Sequence, residues 1–242
     1  MLYFVIGRVG YILNNYGYYP TKIKGLHKYQ YQMYVEMMKL FKKNSKKVLE
    51  IGTGACGGIL YLSKIKKNTE FYGMDINKQS IVNCKKTIGN NSPIKIFNDI
   101  NILINKKYKF DTVYSVETGI YYTVDPDILI GNLLKLLKKG DVFVYYDNII
   151  LRKELGKYNV FMSKLKKHFD VSIRDITKNV FLSNHHSSKK RKELIDSKLP
   201  FYLNFNVIKN LLYNYSSIIG SPRYLEFKNG KRKSFMLRAV KK

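Results

Sequence analysis

From residue 47 onward, short apolar runs alternate with longer amphipathic stretches, and this alternation restricts the fold more than any other feature of the sequence. Such alternation is typical of an α/β sheet with parallel strands. The helical spacing is clearest over residues 127–139, where Gly140 predicts the helix end. The pattern predicts seven strands, mostly parallel and with helices on both faces of the sheet, at residues 47–51, 70–74, 94–97, 110–116, 141–146, 170–176 and 234–240.

The chain has 242 residues, enough for one sizeable core and too few for two ordinary domains with a linker. We therefore predict a single domain, with a sheet core at residues 47–177 and a last strand at residues 233–242. Residues 1–46 and 178–232 lie outside the alternation and are expected to form an N-terminal arm and a lid or substrate segment. Such additions suit a site beyond the carboxyl ends of the strands. Covering an exposed sheet face is the alternative role.

The location of the protein is predicted from its cysteines and its N-terminal stretch. Cys56 and Cys84 form no CxxC pair and no disulfide framework, which is typical of a reducing compartment. Residues 1–13 are apolar but interrupted by two glycines and an arginine, and are too short to cross a bilayer. We expect a cytoplasmic protein without a membrane span or a metal site.

The formal net charge of +27 raises the question of a polyanionic partner, such as nucleic acid or an anionic membrane. Only seven of the 44 basic residues are Arg, the side chain that makes forked contacts to phosphates and bases. The lysines are spread along the chain, and an AT-rich genome would impose this bias on any surface. We favour a solvated basic surface and do not favour nucleic acid as a partner. The tightest basic runs, at residues 189–192 and 231–233, could still contact phosphate.

The most informative segment is a glycine-rich turn directly after the first predicted strand. Gly52, Gly54 and Gly57 satisfy the pattern G-x-G-x-x-G, and Asp75 follows at the end of the next strand, where a ribose hydroxyl would be bound. Taken alone, this pattern also fits a nicotinamide or flavin site. However, the carboxylate of Glu50 just before the turn would repel a pyrophosphate. An acid here favours S-adenosylmethionine, whose sulfonium and α-ammonium are cationic.

Residues 48–54 resemble the first motif of class I S-adenosylmethionine-dependent methyltransferases, and the later motifs follow in order. Residues 73–76 resemble the second motif, 98–100 the third, 110–117 the fourth, and 137–141 the L-K-P-G-G stretch. The resemblance implies a Rossmann-like fold and S-adenosylmethionine as cofactor. The cofactor-binding residues that the motifs imply are Tyr18, Gln32, Glu50, Gly52, Gly54, Asp75, Ile76, Asp99, Ile100, Val116 and Glu117. Among them, Asp75 would bind the ribose and Asp99 the adenine amino group.

The segments outside the sheet core carry a narrower resemblance, to small-molecule and lipid methyltransferases of the type that modifies phthiotriol lipids. Residues 15–19 and 32–34 resemble the N-x-G-Y-W and Q-x-Y elements of that group. Residues 175–180 resemble its D-I-T-x-N-V run, and residues 220–230 its tail. This resemblance implies methyl transfer to a small molecule or lipid, with oxygen as the favoured atom.

One position departs from that group, because Ile120 stands where members often have a His. An alcohol or phenol acceptor must lose its proton, and a histidine does this well near neutral pH. His185 and His186, in the predicted lid, are the candidate catalytic residues. A surface or packing role is the alternative for both.

Two other functions stay open at this point. An RNA or DNA methyltransferase would use the positive charge for affinity, but residues 115–118 read S-V-E-T where base-amino enzymes carry an N-P-P-Y-like or D-P-P-Y-like motif. A non-catalytic methyltransferase fold that binds the cofactor is the other alternative, because the expected His is absent.

Overall fold

A computed structural model describes residues 13, 15–200 and 205–242. Its strands form one sheet in the order β3-β2-β1-β4-β5-β7-β6. The strand β7 runs antiparallel to β5 and β6, and the other neighbouring pairs are parallel. The predicted mostly parallel sheet of seven strands is therefore confirmed. Its strands are β1 (Lys47–Ile51), β2 (Glu70–Met74), β3 (Lys95–Phe97), β4 (Phe110–Val116), β5 (Leu137–Ile150), β6 (Phe169–Asp175) and β7 (Arg232–Lys241).

Helices cover both faces of this sheet, because successive strand residues point to opposite sides. In β1, Leu49 packs into one hydrophobic cluster and Val48 into the other. The first cluster includes residues of α4, α6 and α7, and the second residues of α1, α2 and α3. The helices are α1 (Lys28–Met38), α2 (Gly57–Ile65), α3 (Lys78–Ile88), α4 (Ile100–Asn105), α5 (Ile120–Thr123), α6 (Pro126–Leu136), α7 (Leu151–His168), α8 (Thr177–Lys198), α9 (Asn206–Tyr215) and α10 (Pro222–Lys228).

The strand order reverses between β1 and β4, and ligands of open α/β sheets bind in the crevice at such a point. The turns that leave these two strands at their carboxyl ends are residues 52–56 and 117–119. The fold therefore places the predicted glycine turn and Glu117 on opposite sides of one crevice.

The boundary between α6 and β5 differs from the prediction. The helix ends at Leu136, three residues before the expected end, and Leu137 pairs with Phe110 of β4. Both leucines are buried, so the apolar spacing continues across the boundary and conceals it. Gly140, with φ of 79°, lies where the register between β4 and β5 shifts, and it does not end the helix.

The two cysteines also differ from the prediction, because a disulfide joins Cys56 in the glycine turn to Cys84 in α3. Their Cα atoms are 4.8 Å apart, and both residues are fully buried. They are 28 residues apart in sequence and meet only because α3 packs against α2. The cysteines therefore no longer support the expectation of a reducing compartment.

Residues of the predicted lid segment form α8, α9 and α10, which contact one another. A small cluster of Ile195, Leu199, Leu212 and Ile218 packs between α8 and α9, and Val180 anchors α8 to the main core. Opening or closing as a lid stays a prediction. Within the described ranges, no helix is long and apolar enough to cross a membrane. The N-terminal stretch considered above lies, except for Leu13, outside the described residues.

Candidate active site

Two cavities lie side by side at the carboxyl ends of β1 and β4. The glycine-turn cavity has a volume of about 530 Å³ and is lined by the turn after β1 together with Asp75. The arginine cavity, of about 230 Å³, is lined by residues that include Arg191, Arg223 and Arg232. The two cavities share the lining residues Asn15, Glu117, Thr118 and Tyr215. They therefore meet at Glu117.

The glycine turn lines the glycine-turn cavity with backbone atoms that no side chain covers. Gly52 has φ of 77°, and a Cβ there would lie 2.2 Å from Cγ2 of Thr118. Gly54 has φ of 53°, and a Cβ there would meet no atom within 4 Å. A glycine is thus required at position 52, because its φ is positive and a Cβ would clash with Thr118. At Gly54 the missing side chain leaves the cavity open for close approach of a ligand.

Asp75 is held rigidly at the carboxyl end of β2. Its Oδ2 accepts a hydrogen bond from the Gly54 N–H at 2.9 Å, and its Oδ1 accepts one from the Asn77 N–H at 2.9 Å. Ile76, Ile100 and Val116 line the same cavity, and Ile76 is 82% exposed. A carboxylate beside apolar surfaces is suited to a ribose and the flat base attached to it.

Glu50 lies under the glycine turn and does not line the cavity. It is 1% exposed, and the hydroxyl of Tyr34 donates to its Oε1 at 3.1 Å. Burial raises the pKa of Glu50 to about 8. Its Oε2 makes no hydrogen bond of ordinary geometry in the described part of the chain, although the hydroxyl of Tyr114 lies near enough to the carboxyl to lower its pKa in part. A buried oxygen without a donor is costly, so this carboxyl fits a cationic or hydrogen-bond-donating ligand above the turn.

Besides Glu50, three of the predicted cofactor residues do not line this cavity. The side chain of Gln32 is hydrogen-bonded to Thr21 and Glu36 on α1. Tyr18 packs under the guanidinium of Arg174, which lies 5.7 Å from the ring centre. Asp99 is exposed and caps α4, accepting from the Asn101 N–H at 2.8 Å. Their contacts with a cofactor stay predictions.

Glu117 is the charged residue at the border of the two cavities. It follows β4 with φ of 51°, a left-handed conformation that non-glycine residues rarely adopt. Its Oε1 accepts hydrogen bonds from the Tyr16 N–H at 2.9 Å and from the Tyr146 hydroxyl at 2.5 Å. Burial raises the pKa of Glu117 to about 7. A carboxyl that titrates near neutral pH beside a ligand cavity can exchange a proton with a substrate.

The structure does not bring the predicted catalytic histidines to either cavity. His185 and His186 lie on the exposed side of α8. His185 Nδ1 is 2.7 Å from the hydroxyl of Tyr224, and His186 stacks on Tyr19 with ring centres 4.7 Å apart. Ile120, at the position of the family His, is buried and lines the glycine-turn cavity.

The arginine cavity is built from segments distant in sequence. The guanidinium of Arg223 donates to the Tyr16 hydroxyl at 2.6 Å and to the Tyr215 carbonyl at 3.3 Å. Arg191, buried in α8, donates to the carbonyls of Tyr16 and Ser216 at 2.9 Å each. Arg191 and Arg232 belong to the two tight basic runs, whose neighbouring lysines point outward.

Sequence reasoning missed most residues of this second cavity. Tyr16 and Asn15 lie in the N-terminal element already singled out, yet Tyr18 was the residue predicted from it. Tyr34 lines the glycine-turn cavity and belongs to the Q-x-Y element from which Gln32 was predicted. The motifs therefore indicated the right segments, and only packing could show which side chain points inward.

The sheet order, the glycine turn after β1 and the acid after β2 define a Rossmann-like cofactor-binding enzyme fold. The chain belongs to the methyltransferase-domain family, whose model matches residues 42–196. This confirms the predicted class, with S-adenosylmethionine as its cofactor.

Curated relatives of the chain include lipid and fatty-acid methyltransferases. A phthiotriol/phenolphthiotriol dimycocerosates methyltransferase of Mycobacterium leprae is 25% identical over 162 residues, 67% of this chain and 59% of that protein. A fatty-acid O-methyltransferase of Mycolicibacterium smegmatis is 27% identical over 141 residues, 55% of this chain and 51% of that protein. The chain thus spans less than two thirds of the length of these relatives.

Solved structures share the fold at low sequence identity. The cyclopropane synthase MmaA2 of Mycobacterium tuberculosis superposes with a TM-score of 0.72 at 9% identity, covering 99% of this chain and 95% of that one. Phosphoethanolamine N-methyltransferase 2 of Haemonchus contortus, in complex with S-adenosylhomocysteine, gives a TM-score of 0.67 at 14% identity, covering 86% and 52%. These similarities establish the fold.

Proposed function

We propose that this protein transfers the methyl group of S-adenosylmethionine to a hydroxyl group of a small-molecule or lipid acceptor, with Glu117 as the general base. The observation that carries this proposal is the position of Glu117, at the junction of a cavity suited to the cofactor and a second cavity open to an acceptor. Bound S-adenosylmethionine supplies an electrophilic methyl group on its sulfonium.

The residues of the glycine-turn cavity fit this cofactor. Asp75 is fixed where it can accept hydrogen bonds from ribose hydroxyls, and Ile76 and Ile100 offer apolar surfaces to adenine. The open space at Gly54 allows close approach of the methionine part. The unpaired Oε2 of Glu50 lies below the turn, where an α-ammonium group can stabilise its charge through water.

Glu117 meets the requirements of a base for a hydroxyl nucleophile. With a pKa of about 7, it is largely ionised just above neutral pH and is still basic enough to accept a proton. The hydrogen bonds from Tyr16 and Tyr146 hold the carboxylate in one orientation. The rest of the rate enhancement then comes from aligning acceptor oxygen, methyl and sulfur in a site closed to water.

The names of the relatives support oxygen as the target and lipids as one acceptor class, since one of them is a fatty-acid O-methyltransferase. A hydroxyl acceptor also accounts for a buried carboxyl with a raised pKa at the junction of the cavities. A catalytic role of His185 or His186 is not part of the proposal, because neither side chain reaches these cavities.

Methylation of RNA or DNA receives no support from the distribution of charge. Eight lysines from residues 42–47, 106–109 and 138–139 line a cleft of about 710 Å³. The charge is thus more clustered than the sequence suggested. However, this cleft lies at the amino ends of β1, β4 and β5, opposite to the glycine turn. A polynucleotide bound there would not reach the methyl donor.

The test combines cofactor binding with the variant Glu117→Gln. Calorimetry should show binding of S-adenosylhomocysteine and none of NAD. With labelled S-adenosylmethionine and a panel of hydroxylated small molecules and fatty acids, Glu117→Gln should lower kcat by roughly 10²–10⁴-fold and leave cofactor affinity nearly unchanged. Glu193→Gln, which removes an exposed carboxylate from α8, is the matched control. Failure to bind S-adenosylhomocysteine, or full activity of Glu117→Gln, would contradict the proposal.

A further inference from the structure

The arginine cavity contains a guanidinium that makes no direct ion pair with a carboxylate of the described residues. Arg223 is half-buried, and no carboxylate of the described residues lies within 4.0 Å of it, whereas Glu226 lies 2.7 Å from Arg232. The residues outside the described ranges include no Asp or Glu, so the chain has no other carboxylate side chain to offer. The positive charge of Arg223 therefore lies in the cavity wall without a carboxylate in direct contact, and Glu117 acts on it only over a longer distance.

Aromatic residues fix the position of this guanidinium. Its centre lies 5.9 Å from the ring of Tyr16 and 5.6 Å from the ring of Tyr215. One terminal nitrogen is used by the Tyr16 hydroxyl and the Tyr215 carbonyl. Nε and the other terminal nitrogen have no hydrogen-bond partner among the described residues. The forked donor edge that binds carboxylates and phosphates is thus held in place and available.

Tyr16 adds a second donor beside Arg223. Its hydroxyl oxygen accepts the hydrogen bond from Arg223, so its proton can be donated to a ligand. Burial raises the pKa of Tyr16 to about 12, and the hydroxyl keeps its proton at neutral pH. The backbone N–H of the same residue binds Glu117, which ties this donor pair to the junction of the cavities.

Three carboxylates also line the arginine cavity, and each is engaged by other donors. Glu117 accepts from Tyr16 and Tyr146, as described above. Asp147 accepts from the Gly119 N–H at 2.7 Å and from the Tyr145 hydroxyl, and Glu154 accepts from the Ile150 N–H at 2.7 Å. None lies within ion-pair distance of Arg223.

The geometry points to an anionic acceptor: Arg223 and the Tyr16 hydroxyl bind a carboxylate or phosphate group of the molecule that is methylated, and thereby orient its hydroxyl toward Glu117. This inference rests on the proposed function and narrows its substrate class. Within the lipid and small-molecule acceptors considered above, it selects those that carry a carboxylate or a phosphate monoester. The cavity volume of about 230 Å³ limits the part of the acceptor that it encloses to a small group.

Binding of simple anions to the protein saturated with S-adenosylhomocysteine tests this inference. Benzoate and phenyl phosphate serve as probes, and benzamide is the neutral counterpart of benzoate. The wild-type complex should bind at least one anion roughly tenfold or more tightly than benzamide, since charge-assisted hydrogen bonds to a guanidinium are among the strong ones. Preference for benzoate indicates a carboxylate acceptor, and preference for phenyl phosphate indicates a phosphorylated one.

Arg223→Gln should weaken binding of the preferred anion roughly 10- to 100-fold and leave that of benzamide unchanged. Arg152→Gln, which removes an exposed arginine at the start of α7, should behave as wild type. Tyr16→Phe, which keeps the backbone contact to Glu117, should weaken anion binding severalfold. If Arg223→Gln does not fold, this variant is the test of whether the cavity binds the anion. Equal binding of anions and benzamide, or wild-type anion binding by the two cavity variants, would overturn the inference. Such a result would leave the proposed function intact if S-adenosylhomocysteine binds and Glu117→Gln is inactive.

Discussion

The hydroxyl of Tyr146, in the fully buried middle of β5, donates a hydrogen bond of 2.5 Å to Oε1 of Glu117 at the end of β4. Burial raises the pKa of Glu117, and this hydrogen bond lowers it in part because it stabilises the ionised carboxylate. The two effects together place the pKa at about 7. Tyr146 is therefore a positioning residue that acts on the reaction through the proton affinity of Glu117.

The first prediction is a pH profile. If Glu117 must be ionised to accept a proton, kcat should rise tenfold per pH unit below about 7 and level off above it. Tyr146→Phe removes a donor to the carboxylate, so the pKa of Glu117 should rise and the whole profile should move to higher pH. The measurement is kcat against pH for both proteins under saturating substrate. A variant that is slower by the same factor at every pH would assign Tyr146 a merely structural role.

The second prediction concerns the stability of the protein without cofactor. Burial raises the pKa of Glu50 from its ordinary value of 4.5 to about 8. In this interval the unfolded chain has released the proton that the folded protein still holds, so stability falls as pH rises. The contribution of Glu50 to this loss between about pH 4.5 and about pH 8 should amount to several kcal/mol, and Glu50→Gln should remove that contribution. A smaller slope should stay in the variant, because burial also raises the pKa values of Glu117 and Asp147.

Urea unfolding across this pH interval measures the effect. Glu193→Gln is the control, because it removes an exposed carboxylate and should keep the wild-type slope of stability against pH. An identical slope in Glu50→Gln and wild type would show that Glu50 ionises normally in the folded protein. Addition of S-adenosylhomocysteine should make the difference between the two proteins smaller if its α-ammonium stabilises the Glu50 carboxylate.

The third prediction compares two glycines. Gly52→Ala places a Cβ 2.2 Å from Thr118 and keeps a left-handed φ, which alone costs on the order of 1–2 kcal/mol. S-adenosylhomocysteine affinity should fall roughly tenfold or more, because the turn must move. Gly156→Ala in α7 meets no atom within 4 Å and should stabilise the protein by about 1 kcal/mol. Calorimetry measures the affinity for S-adenosylhomocysteine, and thermal unfolding measures the stability of both variants. Equal affinity and stability of the two would refute the role of Gly52 in shaping the cofactor site.

The sequence was sufficient to predict the features that are set by residues close together along the chain. The alternation of strand and helix predicted the sheet, and the glycine turn with Asp75 predicted one wall of the first cavity. The structure confirms the strands, and it places Oδ2 of Asp75 2.9 Å from the backbone N of Gly54. Each of these signals is local, because strand periodicity and turn residues are set within a few positions along the chain.

The second cavity could not be predicted, because its contacts are non-local. Tyr16 binds Glu117 across 101 positions, and Arg223 binds Tyr16 across 207. Arg191 stands in a run of lysines, and only its position on the buried side of α8 distinguishes it from them. For the same reason, the sequence could not show that His185 and His186 face away from both cavities. A helical segment in the right region does not reveal which of its faces points to a cavity.

The last prediction concerns the disulfide between Cys56 and Cys84, which fastens the glycine turn to α3. It joins residues 28 positions apart, and for a loop of that length restriction of the unfolded chain contributes about 3.5 kcal/mol. A reductant should therefore lower the thermal stability of the wild type and leave Cys84→Ala unchanged. Because Cys56 has φ of 64° and immediately precedes α2, its release should also weaken S-adenosylhomocysteine binding severalfold. Alkylation in concentrated urea without reductant, followed by mass measurement, gives the state of the two buried thiols directly. Labelling of both cysteines under these conditions would show that the bond is absent, and the reductant should then change neither stability nor affinity.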